Sequence, residues 1–293
     1  MLWIFITAAA APLQVARNAL QRGLVGDAGP WGATLVRFLF GLPFSLAIFA
    51  TVAALTRGAA PRPTAAYLAA VLAGALSQVG ATAALLVAMR RSGFAVATVM
   101  QQSSLPLAAV FGWLVLGDAI GARAWAGIAV TSVGLAILSW PARDQMRGAA
   151  LGTVLGVASG AAFAVALNAY RQAGLLLEPH HPIYSATASV CLAQAIQTCL
   201  LVGALAVWRP ASLVAVVQSW RQSLGAGFFG AAASACWFAA LALAPAGPVR
   251  AIGVIEAPIA AAAGRRLFKE RLSLRQVLGG AFAAMGVAAT ALG

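Results

Sequence analysis

Glu256 stands where a carboxylate is hardest to accommodate. Of the six acidic residues in this 293-residue chain, Asp27, Asp118, Asp144, Glu178 and Glu270 fall at or near the ends of apolar runs, and Glu256 alone falls inside one. An ionised side chain at bilayer depth costs roughly 2.5–3.5 kcal/mol on insertion scales, so such a group normally pairs, takes up a proton or lines water. Desolvation favours its neutral form and a nearby cation its charged form. A carboxylate that takes and releases a proton is what proton-coupled transport requires. The structural alternative is an ion pair with Arg17, Arg37 or Arg250.

Other polar groups share the apolar runs. Gln101-Gln102-Ser103-Ser104-Leu105-Pro106 and Gly253-Val254-Ile255-Glu256-Ala257-Pro258 place a proline and polar side chains together in mid-run. Proline removes a helical hydrogen bond and kinks the segment, so Pro106 and Pro258 are expected as helix kinks. Paired interruptions of this kind point to a transporter binding site, with two purely structural kinks as the alternative. Gln101 and Gln102 are then candidate substrate contacts. Arg37 and Arg17, the latter beside Asn18, would offer a cation to a carboxylate if they point inward; for each alone, snorkelling to the interface is the simpler expectation. Asn168 matches Asn18. Thr187, Cys191, Gln194, Gln197 and Thr198 share one helical face, while Ser77, Gln78 and Thr82 lie in one further run and Ser234 and Trp237 in another. Such stripes serve equally well as hydrogen bonds between helices.

The sequence offers no support for catalysis: it has no GxSxG, Walker loop or HExxH. His180-His181 lies between Pro179 and Pro182 with no third ligand evident, and Cys191, Cys199 and Cys236 form no CxxC, so no metal or cofactor is expected. The net charge of +13 comes from arginines at the ends of apolar runs rather than on a basic face, which argues against nucleic acid as a partner.

The elements that must carry these groups are membrane helices. With 62% hydrophobic and 9% charged residues, the chain lies far from the roughly 25% charged residues of soluble domains. A span needs about 20 apolar residues. Ten such runs can be read, near 2–22, 31–55, 64–88, 94–116, 121–140, 148–171, 182–207, 221–244, 247–268 and 273–292. Long, uniformly apolar runs exclude barrel strands, so the expected fold class is an all-α integral membrane protein. Residues 1–20 lack the basic start of a cleaved signal and are expected as the first helix. Gly148, Gly152, Gly156 and Gly160 form a stripe suited to close helix packing, and the matching glycines of the fifth and tenth runs are read the same way.

The chain also repeats itself. Pro106/Pro258, Gly112/Gly264, Asp118/Glu270, Arg123/Arg275, Gly127/Gly279 and Gly134/Gly286 are each 152 residues apart, with Thr82/Ser234 in the same register. This reads as two halves of five spans, residues 1–146 and 147–293. An odd number of spans inverts the second half relative to the first, an architecture common in secondary transporters. Counting arginines by face puts both termini outside.

At these residues the chain resembles the EamA family of the drug/metabolite transporter superfamily. The marks are Leu116-Gly117-Asp118 and Phe268-Lys269-Glu270-Arg271-Leu272, each followed by paired glycines, and Glu256 ahead of Pro258; Asp118 stands where the family usually has Glu. The resemblance implies ten helices as two inverted repeats. It also implies export of amino acids or other small metabolites, both termini in the cytoplasm (against the arginine count), and a multi-pass place in a bacterial inner membrane. A small-molecule substrate, protons and membrane lipids are the expected partners, and a homo-oligomer is left open. Expected alternatives are a lipid-carrier or multidrug-like flippase and, less in keeping with the residues, an intramembrane enzyme.

Overall fold

The computed structural model describes residues 1–139, 146–268 and 274–291. Among them the elements are all helical: α1 (Leu2–Leu39), α2 (Leu42–Leu55), α3 (Ala65–Ser92), α4 (Phe94–Gln101), α5 (Ser104–Leu116), α6 (Ala122–Ser139), α7 (Met146–Leu177), α8 (Pro182–Trp208), α9 (Pro210–Gln218), α10 (Trp220–Leu243), α11 (Ala246–Gly253), α12 (Glu256–Phe268) and α13 (Leu274–Ala291). Asp144, Lys269-Glu270-Arg271-Leu272 and the surroundings of Asp27 and Gly148 lie outside the described residues.

Among the described residues six segments are long and apolar enough to cross a membrane, and Ser104–Leu116, Ala122–Ile137 and Leu278–Thr290 are shorter apolar helices. The boundaries differ from the ten expected runs because backbone breaks do not follow hydropathy. The first two expected spans are joined in α1 across Gly29, whose φ of 71° is open to glycine. Pro30 forces the residue before it out of the helical region and starts the next helical stretch. A second break at Phe40–Gly41 separates α1 from α2.

Both mid-run prolines act four residues upstream. The ring of a helical proline collides with the carbonyl of residue i−4, which is Gln102 for Pro106 and Val254 for Pro258. The chain breaks there, between α4 and α5 and between α11 and α12. At each break tight three-residue bonds replace the helical ladder, the shortest being Leu105 N–H to the Gln102 carbonyl at 2.9 Å and Ala257 N–H to that of Val254 at 2.8 Å.

Helix pairing is reciprocal. α1 packs along α10 and α3 along α7, while α6 packs along α13. At the α6–α13 crossing, a Cβ on Gly127 would strike the Gly286 carbonyl and one on Gly286 the Gly127 carbonyl, so both positions require glycine for the backbones to meet. On α7, Gly160 makes room for the α4–α5 break: a Cβ there would strike Ser103 and come within 2.8 Å of the Gln101 carbonyl. Large apolar side chains such as Phe5, Leu55, Trp113, Val115 and Trp208 are exposed around the outside, as expected for a surface solvated by lipid.

Candidate functional site

The two helix breaks bring their polar residues into one buried cluster. Arg250 sits in the last turn of α11 and Glu256 in the first turn of α12. A cation near a helix C-terminus and an anion at an N-terminus both complement the backbone dipoles, so the interrupted helix favours this placement of charge. The two side chains form an ion pair at 3.4 Å, with Glu256 fully buried. Glu256 also accepts hydrogen bonds from Gln14 Nε2 at 2.8 Å, Gln102 Nε2 at 3.4 Å and Asn18 Nδ2 at 3.5 Å. Arg250 donates to Gln102 Oε1 at 2.6 Å and Ser104 Oγ at 2.8 Å, and its guanidinium lies over the Trp237 ring. The pair therefore ties α11 and α12 to α1 and to the α4–α5 break.

Neither Arg17 nor Arg37 snorkels: they are 1% and 2% exposed. Their helix faces turn inward against α10, where Gly230 leaves room for both stems. Arg17 donates from Nε and Nη2 to Asn18 Oδ1, at 3.1 and 2.6 Å, linking it through Asn18 to Glu256. Arg37 donates to Thr82 Oγ1 at 3.1 Å and Ser234 Oγ at 3.3 Å, the two positions that the 152-residue register pairs. Arg17 Nη1 and Arg37 Nε have no partner, and neither do Gln101 Oε1 and Trp237 Nε1.

Arg37, Gln101, Trp237 and Arg250 line a central cavity of about 30 Å³ with Tyr170 and Phe238. That volume holds a water or two, far below the roughly 300–1,000 Å³ of a ligand pocket. The Tyr170 and Phe238 rings, with centroids 3.9 Å apart and planes tilted by 33°, help to fill the space. A separate apolar groove of about 250 Å³ opens beside the α11–α12 break, lined by Val254, Ile255 and Pro258.

Of the expected site residues, Arg37, Gln101 and Trp237 line this cavity, Glu256, Gln102, Arg17 and Asn18 join the buried cluster beside it, and Asn168 and Gln194 belong to neither. Asn168 donates to the Ala108 and Ala164 carbonyls, fixing α7 against α5. Gln194 accepts from Ser45 Oγ at 2.7 Å and holds α8 against α2. Gln197 on the same stripe donates to Gln78, Tyr170 and the Ala75 carbonyl. Gln14, Tyr170 and Gln78 belong to the site without having been singled out as its members. Gln14 had a signal, since it precedes Arg17 and Asn18 by three and four residues and so shares their helix face.

Away from this cluster the buried carboxylates Asp118 and Glu178 are each partnered. Arg171 makes bidentate contact with Asp118, its shortest bond 2.6 Å, and also donates to the Leu241 and Ala244 carbonyls. Glu178, in the α7–α8 loop, accepts from Ala60 N–H at 2.8 Å and His180 N–H at 3.3 Å. The Ala60 bond foremost, with that from His180 N–H and the charge of the adjacent His180 and His181, holds its carboxyl below the ordinary range.

This geometry is that of a multi-pass helical membrane protein with a charged centre. Residues 1–140 match the family model described as the EamA-like transporter family. Over that span the chain is similar to EamA-like transporters. No curated protein matches. One solved structure, described only as a crystal structure of a protein, aligns with 99% of this chain and 98% of its own, at a TM-score of 0.63 and 19% identity. At that identity it shows the shared fold alone.

Proposed function

We propose that this chain is a secondary-active transporter that moves a small metabolite, amino acids being one candidate class, out across a bacterial inner membrane. It works by alternating access of two inverted five-helix repeats, residues 1–146 and 147–293. The reciprocal packing of α1 on α10 and α3 on α7, with the symmetric glycine crossing of α6 and α13, supports two related halves. The observation that carries the reading is the meeting of two interrupted helices at one buried polar cluster, where Gln102 and Ser104 of one bind Arg250 and Glu256 of the other. Discontinuous helices at the midplane are how transporters expose backbone and charge to a substrate.

Glu256 is the coupling carboxylate in this reading. Protonation would remove the anion that Gln14, Asn18, Gln102 and Arg250 hold, loosening α11 and α12 from α1 and α4. Arg37, Gln101 and Trp237 are the substrate contacts, since each presents an unpartnered atom and lines the cavity. Purified protein in liposomes should show saturable uptake of candidate metabolites that rises with an imposed pH gradient. Glu256→Gln should abolish the gradient dependence; uptake with unaltered pH dependence in that variant would remove the coupling role.

A lipid-carrier or multidrug-like flippase is favoured by a different feature, an apolar groove of about 500 Å³ between α3 and α8, lined by Trp31, Leu76, Gly80, Trp208 and Arg209. Its aromatic and cationic end suits an amphipathic ligand. Dithionite quenching of a short-chain fluorescent phospholipid separates the two: accelerated scrambling would favour the flippase.

A further inference from the structure

The centre of the protein carries more positive charge than it neutralises. Arg17, Arg37 and Arg250 are all at most 3% exposed, and among the described residues Glu256 is the single carboxylate bonded within their cluster. Glu256 is engaged by Arg250 directly and by Arg17 through Asn18. Among the described residues Arg37 has the neutral hydroxyls of Thr82 and Ser234 and the face of the Phe38 ring, and no carboxylate. A guanidinium held in a dry interior without an anion is unfavourable, and the imbalance is relieved when a ligand brings negative charge.

Of the unpartnered atoms on cavity-lining residues, Arg37 Nε and Trp237 Nε1 are donors and Gln101 Oε1 is the one acceptor. A zwitterion with no net charge would bring an ammonium group to a site with one free acceptor and two excess cations. An anion brings acceptors, which guanidinium and indole N–H groups can satisfy.

We infer that the transported substrate is a small organic or inorganic dianion, bound through carboxylate or phosphate oxygens to Arg37 and Trp237. The inference rests on the transport reading above and narrows its substrate class. The binding cavity must widen to admit such a ligand, which places recognition in a conformation more open than the 30 Å³ space described here.

The test uses the purified full chain in liposomes, with counterflow of labelled succinate, inorganic phosphate, alanine and putrescine, together with the thermal shift each probe gives in detergent. Succinate or phosphate should move at least tenfold faster than alanine, and whichever leads identifies the carboxylate or phosphate class. Arg37→Gln should lower dianion affinity at least tenfold, while Arg37→Lys should keep the preference for dianions with weaker affinity. Thr82→Asp, which builds a counter-anion beside Arg37, should remove dianion transport and shift preference toward alanine.

Alanine or putrescine moving while dianions do not would overturn the charge inference and leave the transporter intact. Dianions that stabilise the protein while no probe moves would keep the anion site and overturn transport. No movement and no stabilisation by either dianion would overturn both.

Discussion

Arg171 and Arg37 are both arginines held among membrane helices, and they are treated in opposite ways. Arg171 has a bidentate carboxylate and two backbone carbonyls, so every part of its fork is used. It links the turn after α5 to the C-terminal carbonyls of α10. Arg37, more deeply buried, has two hydroxyls, no carboxylate and an unpartnered Nε. A saturated guanidinium is a fastener, because nothing remains for a ligand to bind. An unsaturated one keeps donors and charge in reserve for a substrate. The same comparison sorts the carboxylates, with Asp118 and Glu178 fixing loops and helix ends and Glu256 at the junction of two broken helices.

The largest separation between the two arginines should come from stability. Arg171→Met leaves Asp118 with a buried charge and no partner, and should cost about 3–5 kcal/mol, read from reversible unfolding in mixed micelles. Arg37→Met removes a charge that has no anion, so its stability should lie within about 1 kcal/mol of the wild type or above it while transport is lost. Equal destabilisation by the two substitutions would break the comparison.

A smaller effect is expected at Trp237, whose indole fits against α11 only because Gly253 has no Cβ to collide with it. Trp237→Phe keeps the ring face under Arg250 and removes the unpartnered N–H. Substrate affinity should fall about tenfold, the worth of roughly one hydrogen bond, with little change in melting temperature. Unchanged affinity would take Trp237 out of the binding set.

The smallest effect belongs to Glu178. Its carboxyl titrates below the ordinary value of 4.5, chiefly because it accepts from Ala60 N–H. A group whose folded value is depressed stabilises the protein above the unfolded value and loses that contribution as pH falls through the folded one. The Ala60 amide should therefore keep its hydrogen-exchange protection from neutral pH down to about 4.5 and lose it below. Loss of protection already near pH 6 would contradict the anchoring.

The legible part of the site was chemical and the illegible part was rotational. Glu256 stood out because an acid in mid-run has few explanations, and Pro106 and Pro258 announced breaks because proline acts on the carbonyl four residues back wherever it sits in a helix. Whether Arg17 and Arg37 face lipid headgroups or the centre depends on how α1 turns against α10, which no single-helix pattern encodes. Gln194 stands out as part of a polar helix face and Asn168 as the repeat match of Asn18, and neither pattern distinguishes a cavity wall from a bond between helices. The breaks at Gly29 and Gly41 also escaped hydropathy, since a glycine in an apolar run looks the same whether it packs or bends. The pairing of Thr82 with Ser234 was visible as a repeat register; that Arg37 would bridge the pair was not.

The most direct test of the central claim is whether water reaches the partners of Arg37. With Cys191, Cys199 and Cys236 replaced by alanine, a Ser234→Cys variant in oriented vesicles is treated with a membrane-impermeant thiosulfonate from each side. The account predicts labelling that substrate slows and that changes side when the substrate gradient is reversed. A thiol that stays unmodified from both sides while the protein remains folded would show a dry, structural centre and contradict it.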